Sequence, residues 1–222
     1  MLDQTGGRSS VLQLDHLTVI APSLAEGVDH VRACLDLDIP YGGTHPQMGT
    51  HNHLLRLGDD VYLEVIAVDP KTPAPSGPRW FGLGDAETVR SDWADGRRLR
   101  GWVVRTTRID AVLAEHGDRF GKKIRGSRGG RYFLFSLLPD GSLPLNGALP
   151  PVIDRGDRPP PATRMEDQGA RLTDVLLEHP SPDEIARLYA QLQIGSPPLV
   201  REGPIVRYSA KIDTPSGMKV LQ

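Results

Sequence analysis

Apolar and polar positions alternate at the start of the chain. Residues Val11 to Ile20 are rich in β-branched side chains and predict a strand; Ser23 and Glu26, three apart, form a capping box that predicts a helix start. Leu24, Val28, Val31 and Leu35 then recur at helical spacing. After Asp38 come Gly42 and Gly43, a strand-like stretch from Asn52 to Leu57, a turn at Gly58 to Asp60 and an apolar run from Val61 to Val68. The order is β-α-β-β-β.

The end of the chain repeats this logic. Leu172 to Glu178 is strand-like, Ser181 stands as N-cap with Pro182 at the first helical position and Glu184 closing the box, and Ile185, Leu188, Tyr189 and Leu192 form a helical stripe. Ile205 to Ile212 and Met218 to Leu221 supply closing strands. The middle is a degenerate copy: Trp102 to Thr106, a capping-box relative at Thr107 and Asp110, a short helix to His116, a strand from Arg131 to Leu137 and a last segment ending at Asp154. Loops rich in proline and glycine, at Pro70 to Pro78 and Gly156 to Ala162, separate the copies. These patterns predict an α+β fold, a single domain in which repeated βαβββ modules pair into a curved mixed sheet with helices on its convex side. The module boundaries are 11–70, 98–158 and 170–222, with linkers at 71–97 and 159–169. The concave side forms a pocket.

Strand alternation decides what faces that pocket. Leu17 and Val19 suit the helix-packed core, which leaves His16 and Thr18 concave; Val61, Leu63 and Val65 likewise leave Tyr62, Glu64 and Ile66 facing the cleft. An imidazole and a carboxylate on neighbouring strands suit a divalent metal such as zinc, nickel, manganese or iron. They also suit a base with its orienting partner, or a structural hydrogen bond, and the spacing leaves these uses open.

Charge narrows the partners. The chain of 222 residues carries 26 basic and 28 acidic side chains, net −2, with no cluster that favours nucleic acid or an anionic membrane. Its one cysteine, Cys34, sits by Val31 and Leu35 and excludes an internal disulfide; Met1 to Ser10 is polar, without an apolar targeting segment, so the expected location is the cytoplasm. Gly126 to Gly130 lacks the spacing and lysine of a nucleotide loop, but Arg128 within it is either a solvent-facing turn residue or a carboxylate clamp. Trp80, Phe81, Trp93 and Trp102 concentrate the aromatic content between the first two modules, and Trp102 on the cleft face would supply an apolar wall. The tract from Gly42 to His53 reads as a glycine-supported loop with three histidines, His45, His51 and His53.

The runs Leu14 to Leu17, Gly42 to Leu54 and Val61 to Glu64 with Asp69 and Pro70, together with Trp80 to Gly82, Trp102, Ser127 and Arg128, and Leu143 to Asp154, resemble the glyoxalase-like domain family of the vicinal oxygen chelate superfamily. The resemblance implies a metal site drawing one ligand from the first and one from the last strand of each of two paired modules. His16 and Glu64 match in the first module. In the middle module Trp102 stands in the place of a ligand and Asp154 matches Glu64; were the last module the partner, Asp174 would match His16. The implied set is His16, Glu64 and Asp154 around a divalent metal. His45, Thr50 and Asn52 match the family's His-Pro-x-x-Gly-Thr-x-Asn pattern and are implied to orient substrate, beside Tyr62 and Arg128. The implied activity is that of a metal-assisted lyase, isomerase or dioxygenase on a small carbonyl or vicinal-oxygen compound, with Glu64 as a catalytic residue that also holds the metal and a carboxylate not assigned by the sequence moving a proton. The alternative is a binding protein that sequesters a small ligand. A third module without an internal partner also predicts a homodimer.

Overall fold

The computed structural model describes residues 12–222; Val11 and the polar residues before it lie outside the described residues. Strand β1 (Leu12–Ile20) leads into helix α1 (Leu24–Leu35) through the expected box: Ser23 Oγ accepts from the Glu26 amide at 3.3 Å and donates to Glu26 Oε2 at 2.6 Å. Strands β2 (Tyr41–His45) and β3 (Thr50–Arg56) form a hairpin where a loop from Gly42 was expected, and β4 (Tyr62–Val68) completes the module. The backbone of Gly43 and Thr44 pairs with Asn52 and His51, and this pairing makes a strand out of a segment with little strand propensity of its own.

The 71–97 segment carries a helix, α2 (Ala86–Ala94), capped by Asp85. The middle module follows as β5 (Leu99–Thr106), α3 (Ile109–Phe120), β6 (Lys122–Arg128), β7 (Arg131–Leu137) and β8 (Val152–Asp154). The capping box expected at Thr107 does not form here. Arg108 occupies the N-cap without a side-chain bond, and the Ile109 amide instead donates to Asp154 Oδ2 at 3.1 Å. A carboxylate from a distant strand has replaced the local cap.

One sheet runs β2-β3-β4-β1-β5-β8-β7-β6, with β1 antiparallel to β5 at its centre and parallel to β4. The first module therefore pairs with the middle one. The sheet curls until its edge strands β2 and β6 touch, and Gln47 Nε2 donates to the Ser127 carbonyl across that seam at 3.0 Å. On the convex side Leu17, Val19, Leu63, Val65, Trp102 and Val104 pack with α1 and α3 in the main core. On the concave side Ile20, Ile66, Val103, Phe135 and Ile153 join Trp80 and Phe81 in a second apolar layer.

The last module builds its own sheet. Strand β9 (Arg171–His179), helix α4 (Pro182–Gln191), β10 (Ile194–Gly195), β11 (Leu199–Glu202), β12 (Arg207–Thr214) and β13 (Gly217–Leu221) give the order β11-β9-β12-β13, while the two residues of β10 pair with the start of β1. Leu177, Tyr189, Tyr208 and Ile212 share the main core with Trp102, so this module seals the convex side and forms no part of the cleft. Ser181 makes no side-chain cap bond; the third junction resembles the first in sequence only. Among the described residues, no helix is long and apolar enough to cross a membrane.

Candidate functional site

The concave face encloses a cleft of about 620 Å³ lined by residues of both modules. His16 and Glu64 meet in its floor. They lie on adjacent parallel strands, His16 opposite Tyr62 and Thr18 opposite Glu64, so the two side chains share a face one residue pair apart. His16 Nε2 stands 3.3 Å from Glu64 Oε2, and its ring stacks on Tyr62 with centroids 4.6 Å apart.

Behind this pair lies a charge chain that alternation did not reveal. A bulge in β1 between Leu14 and His16 inserts Asp15 as an extra residue, and its Oδ1 takes His16 Nδ1 at 2.6 Å. Arg155, just past β8, donates to both Asp15 oxygens at 2.5 and 3.0 Å and to the Tyr62 hydroxyl at 3.0 Å. On the other side Asn52 Nδ2 donates to Glu64 Oε1 at 2.5 Å. The chain runs Arg155, Asp15, His16, Glu64, with Asp15 fully buried and the other three lining the cleft.

Burial opposes charge on each of these groups, and the pairing overrides it. Burial raises the Glu64 carboxyl, but the His16 bond and charge, the neighbouring His45 and the Asn52 bond bring it down to about 2. Burial lowers the His16 imidazole, yet the bonds to Asp15 and Glu64 outweigh it and hold the ring above its ordinary 6.5. Asp15 is buried too, and Arg155 and His16 keep it well below the usual carboxylate range. The pairing favours the charged form of each member: guanidinium, carboxylate, imidazolium, carboxylate.

His45, Thr50 and Asn52 are all buried, but only His45 lines the cleft. Thr50 Oγ1 holds His45 Nδ1 at 3.2 Å and Asn52 holds Glu64, so these two position the groups that reach the cavity. Burial pushes His45 down to about 4, with Arg128 and His16 adding to the effect and Glu64 opposing it. Its ring, edge-on to Trp80 at 5.0 Å, is neutral. Tyr62 lines the cleft from its strand, and Arg128, for which the sequence left a solvent-facing turn and a clamp open, lines it too. Arg128 ends β6 opposite Arg131, and Gly129 and Gly130 between them both take positive φ, 55° and 73°, as a two-residue hairpin turn requires.

Two expected residues lie elsewhere. Trp102 pairs with Leu17, and so follows Leu17 to the convex face, where it meets Tyr189 with centroids 5.5 Å apart; Val103 is the cleft-side residue opposite His16. Asp154 points away from the cleft to the α3 amide and to the Gly156 amide at 2.7 Å, while its neighbours Ile153 and Arg155 face the cavity. Each is one residue out of phase, the shift that reverses a strand's faces. Asp174 lies on the separate sheet, beside Lys211 at 3.9 Å. Arg155 was missed because three residues of strand buried on both sides carry no readable alternation.

The implied metal does not fit this donor set. Among the described residues no group of three His, Cys, Asp or Glu side chains stands close enough to hold an ion. His16 and Glu64 offer one atom each, and their remaining polar atoms are engaged by Asp15 and Asn52. In the half of the cleft where further ligands were expected stand Val103, Ile153 and the guanidinium of Arg155.

A sequence profile described as a glyoxalase-like domain matches residues 14–193. The chain belongs to the glyoxalase-like domain family. No curated protein matches it. Among solved structures, this glyoxalase-like protein is similar to a hypothetical protein from Staphylococcus aureus, with 12% identity over 89% of this chain and 88% of that one and a TM-score of 0.60. A methylmalonyl-CoA epimerase variant of Streptomyces coelicolor, in complex with 2-nitronate-propionyl-CoA, matches at 17% identity over 68% of this chain and all (100%) of that one, TM-score 0.42. A methylmalonyl-CoA epimerase of Mycobacterium tuberculosis matches at 16% over 70% and 93%, TM-score 0.40. Among the described residues the architecture is α+β, with a curved mixed sheet and four α-helices.

Proposed function

We propose that this protein binds a small carbonyl compound in the cleft and moves a proton at the carbon beside the carbonyl, with Glu64 as the base. The observation that carries this reading is the Glu64 carboxylate at the cleft floor, backed by His16, the buried Asp15 and the half-buried Arg155. In the resting site His16 Nε2 has no hydrogen-bond partner and lies 3.3 Å from Glu64 Oε2 as a charge contact, and that cation is why Glu64 is a weak base there. A ligand oxygen that takes the His16 Nε2 hydrogen bond weakens that contact and raises the basicity of Glu64. The C–H bond then breaks, the proton goes to Glu64 and the electron pair to the carbonyl oxygen, giving an enolate beside a cation. Return of a proton to that carbon completes an exchange with solvent, or an epimerisation where the carbon is stereogenic, and neither needs an oxidant.

The test is deuterium incorporation from solvent into pyruvate, phenylpyruvate, acetoacetate and methylglyoxal, followed by NMR for wild type and Glu64→Gln. The wild type should exchange at least one of them faster than the variant. Equal rates for all four reject proton transfer and leave the second reading, a protein that only sequesters its ligand. The closed His16–Glu64 pair, with Glu64 held at about 2, is what favours that alternative. We also assign the protein to the cytoplasm, on its lone, unpaired Cys34. A partner copy is not needed to build the cleft, since both walls come from one chain.

A further inference from the structure

We infer that the cleft is built for an organic carboxylate with a flat apolar body, its acid group held by Arg128 and its body laid on Trp80 and Phe133. The inference names the ligand class of the same cleft and rests on the reading that a small molecule binds there, but not on proton transfer.

Charge distribution is the first support. Five arginines (Arg128, Arg131, Arg155, Arg158 and Arg164) line the cleft against two glutamates, Glu64 and Glu166, in a chain whose net charge is −2. Positive charge has thus been concentrated where the molecule as a whole is slightly acidic, and a low-dielectric cleft focuses that field on an entering anion.

Arginine pairing is the second. Arg155 is used up by Asp15, and Arg158 donates to the carbonyls of Arg155 and Tyr132. Away from the cleft, Arg97 and Arg100 share Asp92, Arg105 meets Asp60 and Arg171 meets Asp167. Among the described residues the Arg128 guanidinium has neither a hydrogen-bond acceptor nor a carboxylate. It is half-buried, and its backbone partner across the two-residue turn is the exposed Arg131, so two like charges sit at the hairpin end. A carboxylate between them relieves the repulsion and matches the planar two-donor edge of a guanidinium.

The third support is the shape of the wall. Trp80 and Phe133 lie nearly parallel, 23° between planes and 6.2 Å between centroids, and Phe135 meets Trp80 edge-on at 5.5 Å. Phe133 can lie flat there because its cross-strand neighbour is Gly126, where a Cβ would come within 2.4 Å of the ring. This wall suits an aromatic or planar ligand. The volume, about 620 Å³, is that of an organic molecule and far exceeds what an inorganic anion needs. His45, Glu64 and Arg128 line the same cleft, so an acid group on Arg128 leaves the rest of the ligand in the cavity that holds Glu64.

Phenylacetate and its neutral isostere phenylacetamide, titrated by NMR at low ionic strength, test this without any reaction. Phenylacetate should bind and phenylacetamide should bind about tenfold more weakly or worse. Arg128→Ala should weaken phenylacetate about tenfold while leaving phenylacetamide unchanged, and Arg128→Lys should recover part of the loss. Arg128 makes no bond that the fold needs, so the thermal midpoint of the Ala variant should match wild type. Equal binding of acid and amide, no saturable binding of either, or phenylacetate binding indifferent to Arg128 overturns the proposal. Because phenylacetate has no ketone to enolise, its failure to bind is distinct from failure of the deuterium experiment.

Discussion

The two halves of the cleft come from two copies of one module, and they have diverged in opposite directions. The half on β1 and β4 carries Asp15, His16 and Glu64, three buried ionisable groups in contact. The half on β5 and β8 presents Val103 and Ile153 at comparable places, apolar and packed on Phe135, and contributes charge only through Arg155, which reaches across to Asp15. The difference teaches how a duplicated fold can concentrate chemistry. One half holds a carboxylate at the cleft surface; the other supplies a wall and a fixed countercharge. Removing one member of such a buried ionic chain leaves the others uncompensated, so the chain must be kept whole.

The sharpest way to break this asymmetry is Glu64→Gln. If the β1 and β4 half holds the chemistry, solvent exchange into the responsive carbonyl compound falls by about 10²-fold or more, while a change in the apolar half, Ile153→Val, alters the exchange rate by less than about threefold and costs about 0.5–1.5 kcal/mol of stability. Comparable rate losses in both variants would make the two halves equal partners.

Next in size is Trp102→Ala. As a side chain buried between β5 and α4, Trp102 should cost about 3–5 kcal/mol in urea unfolding when truncated, and phenylacetate affinity in the folded variant should stay within about threefold of wild type. Lost affinity with unchanged stability would return Trp102 to the cleft.

The charge chain makes stability depend on pH at both ends. His16 is raised above 6.5 in the folded state, so its contribution is fully present below about pH 6.5 and is lost as the pH rises through the folded value. Glu64 is depressed from 4.5 to about 2, so its contribution is present above about pH 4.5 and is lost as the pH falls toward 2. Urea midpoints across the pH range should therefore decline on both sides. His16→Gln should flatten the alkaline limb; an unchanged limb would mean that another group carries it.

The smallest effect compares helix starts. Ser23→Ala should cost about 1 kcal/mol, whereas Ser181→Ala, at a junction without a side-chain cap bond, should cost no more than a few tenths. Equal losses would show that Ser181 caps α4 in solution.

Local signals in the sequence carried the architecture a long way. Period-two and period-3.6 patterns located α1, β4 and α4, and the Ser23 box marked a helix start that forms as written, because both partners lie within four residues. Alternation also put Tyr62 and Glu64 on one face of β4 and His16 beside them, since the polar Glu64 and His16 interrupt apolar neighbours at Leu63, Val65 and Leu17 and so mark the phase of strands that are buried on both sides. The family pattern singled out His45, Thr50 and Asn52, yet the division of labour between them, one lining the cleft and two positioning other side chains, depends on hydrogen bonds across strands.

Everything that required a register was decided by the tertiary structure. Trp102 and Asp154 each lie one residue from a cleft-facing neighbour, and strands buried on both sides, such as β5 and β8, hold apolar residues on both faces and hide their phase. Asp15 enters the site only because of a bulge in β1, and Arg155 only because β8 pairs with β5 at the level of Thr106 and Asp154. The sequence by itself determined the modules and the first half of the cleft, where the information is local. Which module is the partner, which face each second-half residue takes, and hence that a guanidinium stands where a metal ligand was expected, are consequences of pairing between segments some 90 to 140 residues apart.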